Sequence, residues 1–240
     1  MLRLTKTHDY LNGEKELLRV VFVHGIAADS SSFKHAIKEL TDLPGLRLVT
    51  FDLLGSGKSD CSEKLEYNYK EQIEALHNSI KKLGKTNAPL ILVGHSMGTF
   101  IVTRYASKYS REVSKLILIS PPVYTVKDLE NPAFDVAIKA FRDAVSVKNR
   151  AVLETKAFNN SIKNIVMAKD NYETLVKTKF PIFIIYGEMD KFIASFNYPR
   201  LKKDGHGNFT FISTPSAHGV SLDKCAELKK ILAGELNENI

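Results

Sequence analysis

At 240 residues, with 44% apolar and 25% charged residues, the chain has the make-up of one large globular domain or two small ones, which excludes a disordered polymer. The formal net charge of +7 is carried mostly by lysine, and its densest spots (Lys81-Lys82, Lys202-Lys203, Lys229-Lys230) are isolated pairs without interleaved aromatics, a solvated surface rather than a nucleic-acid face. The longest apolar runs, residues 116–119 and 181–186, are too short to span a bilayer, and residues 1–10 lack the continuous hydrophobic region of a secretory signal. A soluble, cytoplasmic protein without stable membrane insertion is expected, with Cys61 and Cys225 as free thiols.

In chain order, residues 2–7 read as a strand, and Asn12-Gly13 is a turn pair suited to begin a hairpin. Residues 19–24 form a buried strand, residues 31–40 a helix with Phe33, Ile37 and Leu40 on one face, and residues 46–51 a second buried strand. Ile73, Leu76, Ile80 and Leu83, at steps of three and four, predict a helix over residues 69–83. Strands at 90–93 and 115–120 bracket a helix over 99–108. Further strands are expected at 180–186 and 208–212, and a closing helix over 221–232 buries Leu222, Cys225, Leu228 and Leu232. Fully apolar strands separated by helices imply an α/β fold with a mostly parallel, doubly wound sheet and right-handed crossovers.

Residues 121–178 break this rhythm, with no strand pattern and two helical ones. Phe134, Ile138, Phe141 and Val145 share a stripe within 133–147, and Ile162, Ile165 and Val166 lie within 161–168. The segment is too long for one crossover, so it is expected as a helical lid inserted into a single core domain made of residues 1–120 and 179–240.

The chemistry centres on Gly94-His95-Ser96-Met97-Gly98, which follows the apolar strand and opens a helix. A serine on so tight a strand-to-helix turn projects its hydroxyl from the sheet, and flanking glycines leave room for the turn. Serine is a weak nucleophile unless a base takes its proton and a third group orients that base. Partners are expected past the carboxyl ends of later strands. There, Asp190 follows the strand ending at 186 and His218 follows the strand ending at 212, in the order Ser, Asp, His. Glu188 is a rival acid. His206 is a rival base, although it precedes its strand and so belongs to the wrong edge. An oxyanion would be held by the Met97 N–H and a second donor from His24-Gly25-Ile26, with Ile26 favoured and Ala27 the alternative. His24 and His95 read as supports of these loops. Gly57-Lys58-Ser59 is not a phosphate-binding loop, because Asp52 stands where such a loop needs glycine. No His or Cys pair has metal-ligand spacing.

These residues carry a resemblance. His24-Gly25, the run Asp52-Leu53-Leu54-Gly55-Ser56-Gly57-Lys58-Ser59-Asp60, Gly94 to Gly98, Gly187 to Asp190 and His218-Gly219 together resemble the α/β-hydrolase superfamily, of the lid-bearing serine-hydrolase type. The resemblance spans nearly the whole chain. It implies the α/β-hydrolase fold with a helical lid, and Ser96, Asp190 and His218 as its catalytic triad. The amino-terminal strands look abbreviated, and Thr99 stands where many relatives carry glycine. The expected substrate is a small molecule, by default a carboxylic ester, with thioesters and monoacylglycerols next, and no cofactor is called for. Val123 and Tyr124 at the lid entrance, with Phe134, Ile138, Phe141 and Met167, are candidates for an apolar acyl pocket. Two other readings stand beside it. One is a lyase of the menaquinone-pathway type using the same three residues for proton abstraction, which needs Arg104, Arg142 or Arg150 facing the pocket. The other is a receptor-like binding protein with slow turnover. The sequence carries no signal for oligomeric state.

Overall fold

The apolar runs assemble into a seven-stranded sheet in a computed structural model describing residues 1–144, 155–193, 195–205, 207–218 and 226–238. The strands are β1 (Thr5–Leu11), β2 (Leu18–Val23), β3 (Leu46–Asp52), β4 (Leu90–His95), β5 (Lys115–Ile119), β6 (Ile182–Gly187) and β7 (Phe209–Thr214). Their order across the sheet is β1-β3-β2-β4-β5-β6-β7; β1 runs antiparallel to β3 and every other pairing is parallel.

Successive side chains of a strand point to opposite faces, and each face is covered. Val21, Val23, Leu92, Leu116 and Ile184 pack beneath α2 (Tyr69–Lys81) and α3 (Met97–Lys108), among Ile73, Leu76 and Ile101. Their neighbours Val20, Phe22, Ile91, Val93 and Ile117 face α1 (Lys34–Leu40) and the carboxyl-terminal helix, through Ile37, Leu40, Leu228 and Leu232. A reciprocal cap starts α2: Asn68 Oδ1 accepts from the Glu71 N–H, and the Glu71 carboxylate accepts from the Asn68 N–H.

The expected hairpin does not form. Asn12-Gly13 does turn the chain, with Gly13 at φ +102, but β1 pairs with β3 rather than β2, and it covers Thr5–Leu11 rather than residues 2–7. The connection straddles the start of β3, where the Gly45 N–H donates to the Asn12 carbonyl (2.6 Å) and the Leu17 N–H to the Gly45 carbonyl (2.8 Å). The cause is burial. Every residue of β2 is buried, so it takes parallel neighbours on both edges, and the more polar β1 is left to close the outside.

Between β5 and β6 run α4 (Val126–Leu129), α5 (Pro132–Ala144), α6 (Thr155–Ser161) and α7 (Asn171–Val176). The backbone of α6 continues into a π-helix, Ile162–Val166, a widened turn that the sequence pattern did not anticipate. Also unforeseen is α8 (Tyr198–Asp204), which supplies the crossover that the parallel pair β6 and β7 requires. The closing helix, α9, spans Ala226–Glu238. Expectations placed on Val145, Arg150, His206, Gly219, Leu222 and Cys225 fall outside the described residues. Among the described residues, no helix is long and apolar enough to cross a membrane.

Candidate active site

The β4-to-α3 turn allows almost no lateral space. Ser96 adopts φ +50 and ψ −120, a conformation L-residues rarely hold, and its N–H donates to the Ile119 carbonyl of β5 at 2.9 Å. Glycine is required beside it for close approach. A methyl group on Gly98 would lie 2.2 Å from the Val23 carbonyl oxygen, and one on Gly25 would lie 3.0 Å from Ser96 Cβ. Thr99, in the position where glycine is common, fits by turning its hydroxyl back to the Ser96 carbonyl (2.6 Å).

Three side chains from distant parts of the chain meet here. His218 Nε2 lies 3.0 Å from Ser96 Oγ, and His218 Nδ1 lies 2.7 Å from Asp190 Oδ2. Asp190 is held in turn: its Oδ1 accepts from the Phe192 N–H at 2.9 Å, and its side chain is fully buried. An imidazole bonded to a carboxylate on one nitrogen is oriented to accept a proton on the other. The rival acid, Glu188, turns away and accepts from the Ser213 hydroxyl at 2.8 Å.

Met97 opens α3, so no carbonyl within the helix accepts its N–H. Ile26 lines the same cavity as Ser96, while Ala27 takes the left-handed turn of the loop (φ +53) and packs into the core. His24 is wholly buried. Its Nδ1–H donates to the Gly25 carbonyl (2.8 Å) and its Nε2 accepts from the Leu53 N–H (2.9 Å), and burial holds its pKa below the usual imidazole value. The ring therefore ties the Gly25 loop to the turn after β3. That turn is organised by the Asp52 carboxylate, which accepts from the Ser30 and Lys58 N–H groups at 2.9 and 2.8 Å. This structural duty accounts for the carboxylate that rules out a phosphate loop.

Above Ser96 and His218 lies a cavity of about 80 Å³. Its walls are Pro122 and Tyr124 after β5, Phe134, Ile138 and Phe141 on α5, Ile162 and Val166 on the π-helix, and Lys191 and Phe192 after Asp190. Of the residues singled out for an apolar pocket, Tyr124, Phe134, Ile138 and Phe141 line this cavity, and Val123 does not. Its side chain is 1% exposed within the core, and its carbonyl accepts from Asn197 Nδ2 (2.8 Å). Met167 also misses the wall, and Val166 takes that place. Lys191 and Phe192 escaped the sequence reading, though their position directly after the acid was the available signal. The Phe192 ring meets His218 edge-on with centroids 5.5 Å apart, and Tyr124 Oη donates to the Phe192 carbonyl (2.8 Å).

No arginine among the described residues lines this cavity. Arg104 is committed elsewhere: it reaches Asp170 (2.6 Å), Asn171 (2.7 Å) and Thr174 (2.8 Å) and lies 4.4 Å over the Tyr69 ring. Among the described residues, no group of three or more His, Cys, Asp or Glu side chains is placed to hold a metal ion.

A family model described as alpha/beta hydrolase fold matches residues 19–137. A Synechocystis sp. protein that carries the name of a non-heme chloroperoxidase is 35% identical over 132 residues, 52% of this chain and 46% of that protein. The sn-1-specific diacylglycerol lipase ABHD11 of Mus musculus is 29% identical over 138 residues, 57% of this chain and 44% of that protein. The matched region thus spans less than half the length of either relative. An esterase from Exiguobacterium antarcticum superposes with a TM-score of 0.73 at 21% identity, covering 96% of this chain and 94% of that one, a likeness of fold.

Proposed function

We propose, from the premise that this chain belongs to the α/β-hydrolase superfamily, that it is a serine hydrolase cleaving a carboxylic ester through an acyl-enzyme on Ser96. The observation that carries this reading is the continuous row Ser96 Oγ, His218 and Asp190, at 3.0 and 2.7 Å. Ser96 Oγ attacks the carbonyl carbon while His218 Nε2 takes its proton, and Asp190 stabilises the imidazolium that results. The carbonyl electron pair moves onto oxygen, where the Met97 and Ile26 N–H groups at the start of α3 and after β2 receive it. Collapse of the intermediate breaks the ester C–O bond, and the leaving alcohol takes the proton from His218. Water, deprotonated by His218, then attacks the acyl carbon, releasing the acid and restoring the Ser96 hydroxyl. No step calls for a cofactor.

The segment 121–178 acts as a lid whose apolar wall receives the acyl group, and the small cavity favours short chains. Lipase and esterase relatives support ester chemistry in general. The polyanion-binding lyase reading needs an arginine facing the cavity; among the described residues none lines it, and Arg104 is spent on Asp170 and Asn171. Incubation with a fluorophosphonate and intact mass measurement tests the proposal. A single adduct is expected on the native chain and none on Ser96→Ala, which also loses about a thousandfold or more in p-nitrophenyl acetate turnover. Butyrate should be cleaved faster than laurate. A native chain that takes no adduct and cleaves no ester sinks the reading.

A further inference from the structure

The mechanism employs both ring nitrogens of His218 but leaves its main chain unexplained. His218 belongs to a loop past β7, whereas Ser96 follows β4, and β5 and β6 lie between those strands. A side chain reaching across that span is only as well placed as the backbone that carries it. The His218 carbonyl is held from the far side. It accepts from His95 Nε2 at 3.1 Å and from Ser120 Oγ at 3.3 Å.

Both donors are buried and belong to the Ser96 side of the site. His95 immediately precedes Ser96. Ser120 directly follows β5, next to Ile119, whose carbonyl accepts the Ser96 N–H. A carbonyl only accepts, so His95 Nε2 must carry the ring proton. His95 Nδ1 has no partner and faces the Gly25 backbone, where an added methyl group would lie 3.2 Å away. The ring is therefore neutral, and burial pushes its pKa down to about 4, so this proton arrangement persists at neutral pH.

We propose that His95 and Ser120 are positioning residues that clamp the His218 carbonyl and so set its imidazole within reach of Ser96 and Asp190 together. Neither touches substrate. The inference rests on the serine-hydrolase reading, and it differs from a space-filling role for His95, which an apolar residue of similar volume would satisfy.

The full chain is compared with His95→Leu, His95→Gln and Ser120→Ala. The readouts are kcat and KM for p-nitrophenyl acetate, the rate of fluorophosphonate labelling, thermal unfolding, and the low-field proton resonance of the His218–Asp190 hydrogen bond. His95→Leu is expected to lower kcat about ten- to a hundredfold with KM nearly unchanged, and to broaden or abolish the resonance. His95→Gln, which keeps a donor at similar reach, recovers to within about fivefold of the native rate, and Ser120→Ala loses about threefold. The proposal is overturned if His95→Leu is labelled as fast as the native chain, or if His95→Gln is as impaired as His95→Leu. Should His95→Leu not fold, an unchanged kcat in Ser120→Ala overturns it instead. A native chain that takes no adduct would condemn the hydrolase reading rather than the clamp, because the resonance reads the clamp without substrate.

Discussion

Ser96 holds a φ of +50, a conformation that costs a non-glycine residue on the order of 1–3 kcal/mol. Ser96→Gly should therefore raise stability by about 1 kcal/mol in urea unfolding while removing all ester turnover, and a loss of stability would contradict strain at this turn. The buried imidazoles set the acid side of stability. His95 has a folded pKa of about 4 against an ordinary 6.5, and His24 is lowered too, in both cases chiefly by burial. Between those two values the unfolded chain binds the additional proton. Stability from His95 is thus complete above pH 6.5 and is lost as the pH falls towards 4, by up to about 3 kcal/mol. Urea midpoints at pH 7 and 4.5 should show this decline, with a shallower one in His95→Gln. Equal slopes in the two proteins would mean that the ring is not neutral and buried.

At the scale of elements, the π-helix Ile162–Val166 forms one wall of the cavity, and Asn171 holds it there. Asn171 Nδ2 donates to the Ile165 (2.7 Å) and Val166 (3.2 Å) carbonyls, while its Oδ1 accepts from Arg104 on α3. Asn171→Ala strips a partner from all three groups and should cost about 2–3 kcal/mol. It should also shift the preferred ester chain length, as a panel of p-nitrophenyl esters would reveal. None of this is legible in the sequence, because a widened turn leaves the same apolar spacing as an ordinary helix until its hydrogen bonds are seen. The apolar strands β2, β4 and β5 were legible, since burial on both faces writes an unbroken hydrophobic run. Ser96, Asp190 and His218 could be picked out because each lies shortly past a strand-like stretch, and the structure brings the three side chains together. Val123 could not be placed, because past a strand end no periodicity dictates which way a side chain points. The short α8 was missed for a related reason: seven residues opening Tyr-Pro leave too little helical pattern to read.

At the scale of the molecule, the sheet formed by the described residues has one antiparallel pairing, β1 on β3, and the chain pins it from several sides. The Leu4 N–H donates to Ser79 Oγ of α2 (2.8 Å), the Thr5 N–H to Ser59 Oγ (2.7 Å), and Arg47 of β3 grips Asp9 (2.8 Å) and Glu16 (3.1 Å). The arginine beside Asp9 lowers that carboxyl to about 2, so this grip survives mild acid. Without β1, the almost entirely buried β3 would present a bare row of N–H and C=O groups along a hydrophobic border. A chain shortened by its first eleven residues should then recruit strands from its own copies, appearing in light scattering as concentration-dependent species larger than those of the full chain. The least conspicuous strand would thus act as a guard against self-assembly, keeping the molecules apart along the sheet edge farthest from β7.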